Sequence, residues 1–159
     1  MAGDPSPTDR LKAAGQAGYD KFPHDCSHSV WEMLHQMGMD EPYRTANVLM
    51  GYLSSASSGW RKVDVIEAGR LANEGKVVIG GLASQSGSGH VVMVMPGASK
   101  PAGGFRMNSG KMLPQSGSFP LSASGAASSW PGAHSRGEKT VRDPWTPSDW
   151  PYVTFWTKN

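Results

Sequence analysis

The chain has 159 residues, 38% of them hydrophobic and 18% charged, with a net charge of only +2. This balance suits a single folded domain over residues 1–159 and argues against a disordered chain. No Lys/Arg cluster is interleaved with aromatics and no run approaches about 18 apolar residues, so neither nucleic acid nor membrane insertion is an expected partner.

In chain order, residues 1–8 have no basic or apolar run, so they read as a flexible arm and no signal peptide is expected. Thr8 or Asp9 is positioned to cap a helix through Leu11, Ala14 and Ala17, ending near Gly18. Asp25 opens a second helix, in which Val30, Met33, Leu34 and Met37 recur at i, i+3, i+4 and i+7 up to Gly38. Glu41-Pro42 opens a third, with Ala46, Leu49, Met50 and Leu53 as its buried stripe, and Ser54–Gly59 reads as a loop. Asp64 caps a fourth through Val65, Ile66, Ala68, Leu71 and Ala72, closed by Gly75.

The pattern then changes. Lys76–Leu82 and His90–Met95 read as two strands joined by a Ser/Gly loop, paired antiparallel, the second ended by Pro96-Gly97. Its continuous apolarity implies cover on both faces. Gly104–Ser109 is predicted as a third strand, residues 110–140 as mostly loop and a possible functional rim, and Tyr152–Thr157 as the final strand. Helices first and strands later give an α+β fold, with N-terminal helices packed on a small antiparallel sheet.

Gly-x-Ser-x-Gly, P-loop, His-Glu-x-x-His and Cys-x-x-Cys motifs are absent. What remains is one cysteine and five histidines. Cys26 falls in the first turn of its helix, where outward N–H groups favour a thiolate, and a thiol so placed can have its pKa lowered from about 8.5. Cysteine catalysis also needs an imidazole, and His90, opening an apolar strand, is the candidate base. Asn108 and Ser109 are candidates for a third catalytic group, and the Cys26 backbone N–H for the oxyanion hole. Ser27, His28 and Tyr19 are candidate substrate-binding residues. His35 reads as surface, and His134 as a possible groove border. A metal held by His24, Cys26 and His28 matches no common zinc spacing, so neither metal nor cofactor is expected. The competing reading of Cys26 is a small buried hydrophobe.

Asp25-Cys26-Ser27 opening a helix, with Gly89-His90-Val91 opening a strand, resembles the NlpC-type, papain-like cysteine peptidases. The chain resembles more closely the amidase effectors of type VI secretion (the Tae family), above all their first subfamily. That likeness includes Tyr19-Asp20-Lys21, Ala46-Asn47 with Met50, Val77–Leu82 and Tyr152-Val153. It covers residues 19–95 best. The resemblance implies a papain-like fold, a Cys26 nucleophile and a His90 base. It implies hydrolysis of an amide in the peptidoglycan peptide stem, between D-glutamate and meso-diaminopimelate. It also implies synthesis in a bacterial cytoplasm, delivery by the type VI secretion apparatus into the periplasm of a target cell, and a cognate immunity protein. Two departures stand out: His28 occupies a position where the peptidases commonly carry Gly, and a lone cysteine cannot form the internal disulfide that close relatives can carry.

Three alternatives stay open at this level. The enzyme could cut the diaminopimelate–D-Ala crosslink instead. The chain could be a non-catalytic wall-binding module presenting Trp130, Trp145, Trp150 and Trp156. The same Cys-His chemistry also serves transglutaminase-like acyl transfer.

Overall fold

The structure is a computed structural model and describes residues 5–158. Among these residues, four α-helices pack on a six-stranded antiparallel sheet. The helices are α1 (Pro7–Lys21), α2 (Cys26–Gln36), α3 (Ala46–Ser54) and α4 (Val65–Ala72). The strands are β1 (Trp60–Val63), β2 (Val78–Leu82), β3 (His90–Ala102), β4 (Ser116–Ser124), β5 (Ser135–Thr140) and β6 (Thr154–Lys158), in the spatial order β1-β6-β2-β3-β4-β5. The α+β class expected from sequence is what the chain adopts. No helix among the described residues is long and apolar enough to cross a membrane.

The first half of the molecule follows its local signals with two corrections. Of the expected arm, residues 1–4 lie outside the described residues. Ser6, not Thr8 or Asp9, caps α1, accepting from the Asp9 N–H at 3.1 Å, and the helix runs past Gly18 to Lys21. Gly15 and Gly18 are interior helical glycines because neighbours press on the backbone there. A Cβ at Gly15 would meet the Met95 sulfur, and one at Gly18 would meet Met33 and the Ser29 carbonyl. The second correction concerns α3, which begins at Ala46 rather than at Glu41-Pro42. The preceding segment is held without helix: the Trp31 indole donates to the Glu41 carbonyl at 3.0 Å, and the Glu41 carboxylate pairs with Arg44 at 3.2 Å. Asp64 caps α4 as expected, accepting from the Glu67 N–H at 2.7 Å, but Ile66 lies on its exposed side.

The sheet departs further from the sequence pattern. β2 and β3 pair antiparallel, with Leu82 opposite His90 and Ile79 opposite Met93. Val91 to Met95 are all buried, so β3 is covered on both faces. Pro96-Gly97 does not end β3. The register against β4 shifts between Met95 and Lys100, and Gly97 takes a φ of 131°. A bulge accommodates a proline that a regular ladder would reject. Gly104–Ser109 is not a strand but part of a hairpin turn closed by a single bridge between Arg106 and Met112. Two full strands, β4 and β5, occupy the stretch read as loop. Their buried positions are small, and mostly hydroxyl-bearing: Ser122, Ala123, Ser124 and Ser135 are buried. Their hydroxyls bond within the sheet, Ser124 Oγ to the Val91 carbonyl at 2.8 Å and Ser135 Oγ to the Ser122 carbonyl at 2.6 Å. Small residues let α1 approach closely here, with Gly15 facing Ala123. β1, four residues long, lies at the sheet edge and among the described residues pairs only with β6.

Candidate active site

Helix α2 starts at Cys26 because Asp25 caps it, its carboxylate accepting from the His28 N–H at 3.1 Å. The first turn is locked to the sheet by Ser29, whose fully buried hydroxyl donates to the Cys26 carbonyl at 2.9 Å and accepts from the Gly125 N–H at 3.0 Å. The Cys26 sulfur points at the start of β3 and lies 3.9 Å from the Gly89 carbonyl oxygen. The Val91 N–H also faces the sulfur. The residues on either side of His90 therefore both touch the thiol. Cys26 and His90 line one cleft of about 620 Å³, together with Asp25, Ser27, Tyr43, Asn47, Gly87–Gly89, Ala126–Ser128 and Pro144.

The segment leading into His90 is held by Asn47 on α3. Its Nδ2 donates to the carbonyls of Ser84 at 3.0 Å and Gly87 at 2.8 Å, and its Oδ1 accepts from the Ser84 N–H at 2.9 Å. The Ser/Gly loop between β2 and β3 is thereby tied down beside the cleft.

The electrostatics differ from the sequence expectation. Burial pushes the Cys26 thiol up from its ordinary value, and the Asp25 carboxylate pushes the same way; the N–H groups of Val91, Ser27 and Cys26 pull it down without reversing the result. The helix terminus alone does not make a resting thiolate. His90 moves in the opposite direction to about 4, because burial penalises its charged form and His134 adds repulsion. At neutral pH the resting pair is a neutral thiol and a neutral imidazole. The His90 ring meets the Trp145 indole edge-on at 5.4 Å between centroids. Its Nε2 atom is sealed from solvent and has no hydrogen-bond partner among the described residues.

The other sequence candidates scatter. Asn108 and Ser109 lie in the 106–112 hairpin turn, outside the cleft lining; the Asn108 amide donates to the Ser129 carbonyl at 2.8 Å. The structure does not bring them to His90. Ser27 lines the cleft, whereas His28 stacks on Tyr43 behind the wall at 3.9 Å, and Tyr19 is half-buried on α1 away from the cleft. His35 is exposed on α2. His134 donates through Nε2–H to the Ser128 carbonyl at 2.6 Å and so braces one cleft wall. His24 approaches His134, 6.5 Å between ring centroids, and joins no ligand set with Cys26 and His28. Among the described residues no three His, Cys, Asp or Glu side chains converge as metal ligands. The four tryptophans do not share one exposed face: Trp145 is buried, the others are half-buried, and Trp130 and Trp145 line a separate cavity.

Sequence reasoning missed Tyr43, for which spacing offers no signal; it placed Trp145 only on a wall-binding face and not beside His90, and it noted Asn47 only as part of a family likeness. No family model matches the chain, and no curated protein matches it.

Proposed function

We propose that the protein is a cysteine amidase acting on peptidoglycan peptides, with Cys26 as nucleophile and His90 as general base and then general acid. The observation that carries this reading is the contact of Gly89 and Val91 with the Cys26 sulfur, which brings the intervening His90 and the thiol into one cleft. Neither group is charged at rest, so the thiol proton moves to the imidazole as sulfur attacks the amide carbonyl, rather than from a preformed ion pair. The oxyanion forms next to the first turn of α2, where the Cys26 N–H has no intrahelical carbonyl to bond. The protonated His90 then passes its proton to the leaving amine, and the C–N bond breaks to leave a thioester on Cys26. Water, deprotonated by the neutral imidazole, hydrolyses that thioester.

The substrate and setting come from the family resemblance. The favoured bond is the one between D-glutamate and meso-diaminopimelate in the peptide stem, with the diaminopimelate–D-Ala crosslink as the competing bond. Delivery by a type VI secretion apparatus to the periplasm of a target cell, and neutralisation by a cognate immunity protein in the producer, belong to the same proposal.

The test is mass spectrometry of peptidoglycan of defined crosslinking after digestion. The wild type should release fragments cut at one amide, and Cys26→Ala and His90→Ala should release none while keeping the wild-type circular dichroism spectrum. Undiminished cleavage by Cys26→Ala would refute the mechanism. Transfer of the acyl group to an added amine, in place of hydrolysis, would reassign the protein to acyl transfer.

A further inference from the structure

One wall of the cleft carries a hydrogen-bonded chain that the hydrolytic mechanism does not use. Asp25 Oδ2 is 2.7 Å from His28 Nδ1, and its Oδ1 accepts from the His28 N–H and, at 2.9 Å, from the Ser27 hydroxyl. The Ser27 oxygen also lies 2.7 Å from the Tyr43 hydroxyl. Burial opposes ionisation of Asp25, but the hydrogen bonds from His28 and Ser27 hold its carboxyl below the usual carboxylate range. An ionised carboxylate has no proton to give, and a serine has only one. The Ser27 proton is therefore spent on Asp25, so Tyr43 must be the donor to Ser27. Its own proton is then spoken for, and its phenolic oxygen offers only lone pairs to the cleft that it lines.

The sign of the remaining lining points the same way. The described residues around the cleft include the Asp25 carboxylate but no lysine or arginine. The Tyr43 ring is fixed in place by stacking on His28, ring centroids 3.9 Å apart and planes 16° apart, with Trp31 edge-on at 5.9 Å. An acceptor held rigidly and backed by a carboxylate selects a donor, and a cationic donor over a neutral one.

We infer that Tyr43 is the specificity residue of the cleft, accepting a hydrogen bond from a free, protonated amino group on the substrate close to the amide that Cys26 attacks. The inference rests on the amidase reading and narrows its substrate class to peptides that carry such an amine. His28, through Asp25 and the Tyr43 ring, is a positioning residue for that acceptor.

Equilibrium binding to the Cys26→Ala protein separates this inference from the mechanism, because no turnover is required. The probes are the stem peptide L-Ala-γ-D-Glu-meso-diaminopimelate with its distal amine free and the same peptide acetylated there, titrated calorimetrically. The free-amine peptide should bind about tenfold more tightly, the scale of one charge-assisted hydrogen bond. Tyr43→Phe in the same background keeps the stacked ring and should abolish that preference. Ser27→Ala releases the Tyr43 proton to face the cleft and should weaken the preference with the tyrosine still present, an effect that a merely structural tyrosine would not show. Equal affinity for the two peptides, or a preference that survives Tyr43→Phe, would overturn the inference and leave the amidase reading standing. Binding of neither peptide would overturn the stem-peptide substrate and this inference with it.

Discussion

Acidification should destabilise the protein through His90 specifically. In the fold its pKa falls from 6.5 to about 4 because burial disfavours the imidazolium and the His134 charge repels it. An unfolded chain takes up a proton on this ring as pH drops through about 6.5. The folded chain resists until about 4. Within that window the unfolded state binds more protons, so stability falls as pH falls. The contribution of neutral His90 is fully present above about 6.5 and is lost progressively down to about 4. At about 1.4 kcal/mol per unit, a gap of roughly 2.5 units amounts to at most about 3.5 kcal/mol. The assay is urea denaturation at a series of pH values on the wild type and on His90→Gln, which keeps a polar side chain but removes the titration. Carboxylates such as Asp25 and Glu32 titrate in both proteins, so the difference curve isolates His90. The wild type should lose about 3 kcal/mol relative to the variant between about pH 7.5 and 4. His134→Ala, which removes the repulsion, should shrink the gap. Parallel pH–stability curves for wild type and His90→Gln would refute the reasoning.

Other consequences are local. Ser29→Ala removes the acceptor for the Gly125 N–H inside the protein, and should cost about 1–3 kcal/mol in chemical denaturation; under the proposed function it should also lower turnover by loosening the turn that carries Cys26. Gly18→Ala improves helix propensity by up to about 1 kcal/mol. The added methyl falls on Met33 and the Ser29 carbonyl, so net destabilisation of about 1–2 kcal/mol is expected from thermal melts. Asn47→Ala cuts three hydrogen bonds to the loop before His90; hydrogen exchange should accelerate over residues 83–89 and leave α1 unchanged.

The helices were legible because each carries its own signals. Asp25 and Asp64 cap as expected, and the stripe Val30, Met33, Leu34 is buried. β2, the first half of β3 and β6 were legible from β-branched and aromatic runs. β4 and β5 were not, because their inward residues are serine and alanine, whose place in the sheet comes from helix approach and hydroxyl bonds rather than from propensity. The continuation of β3 past Pro96-Gly97 depends on a bulge matched to β4, which local reading cannot anticipate. The Cys26 and His90 positions were readable from where they open a helix and a strand. Their protonation was not. Burial outweighs the helix terminus at Cys26 and sets the direction at His90, and burial is a property of the assembled fold.

The strand order carries a consequence for when the sheet becomes whole. Among the described residues β6 is the last strand in chain order, yet it is inserted between β1 and β2 and is the only partner β1 has. Every residue lining the cleft, from Asp25 to Pro144, precedes it. A nascent chain paused before Thr154 thus contains Cys26, His90 and the cleft walls, but its sheet is split, with β1 detached from β2. Closing that seam demands pairing across a long sequence separation, which is a slow step in folding. The seam between β1 and β2 therefore closes only once β6 has been threaded between them.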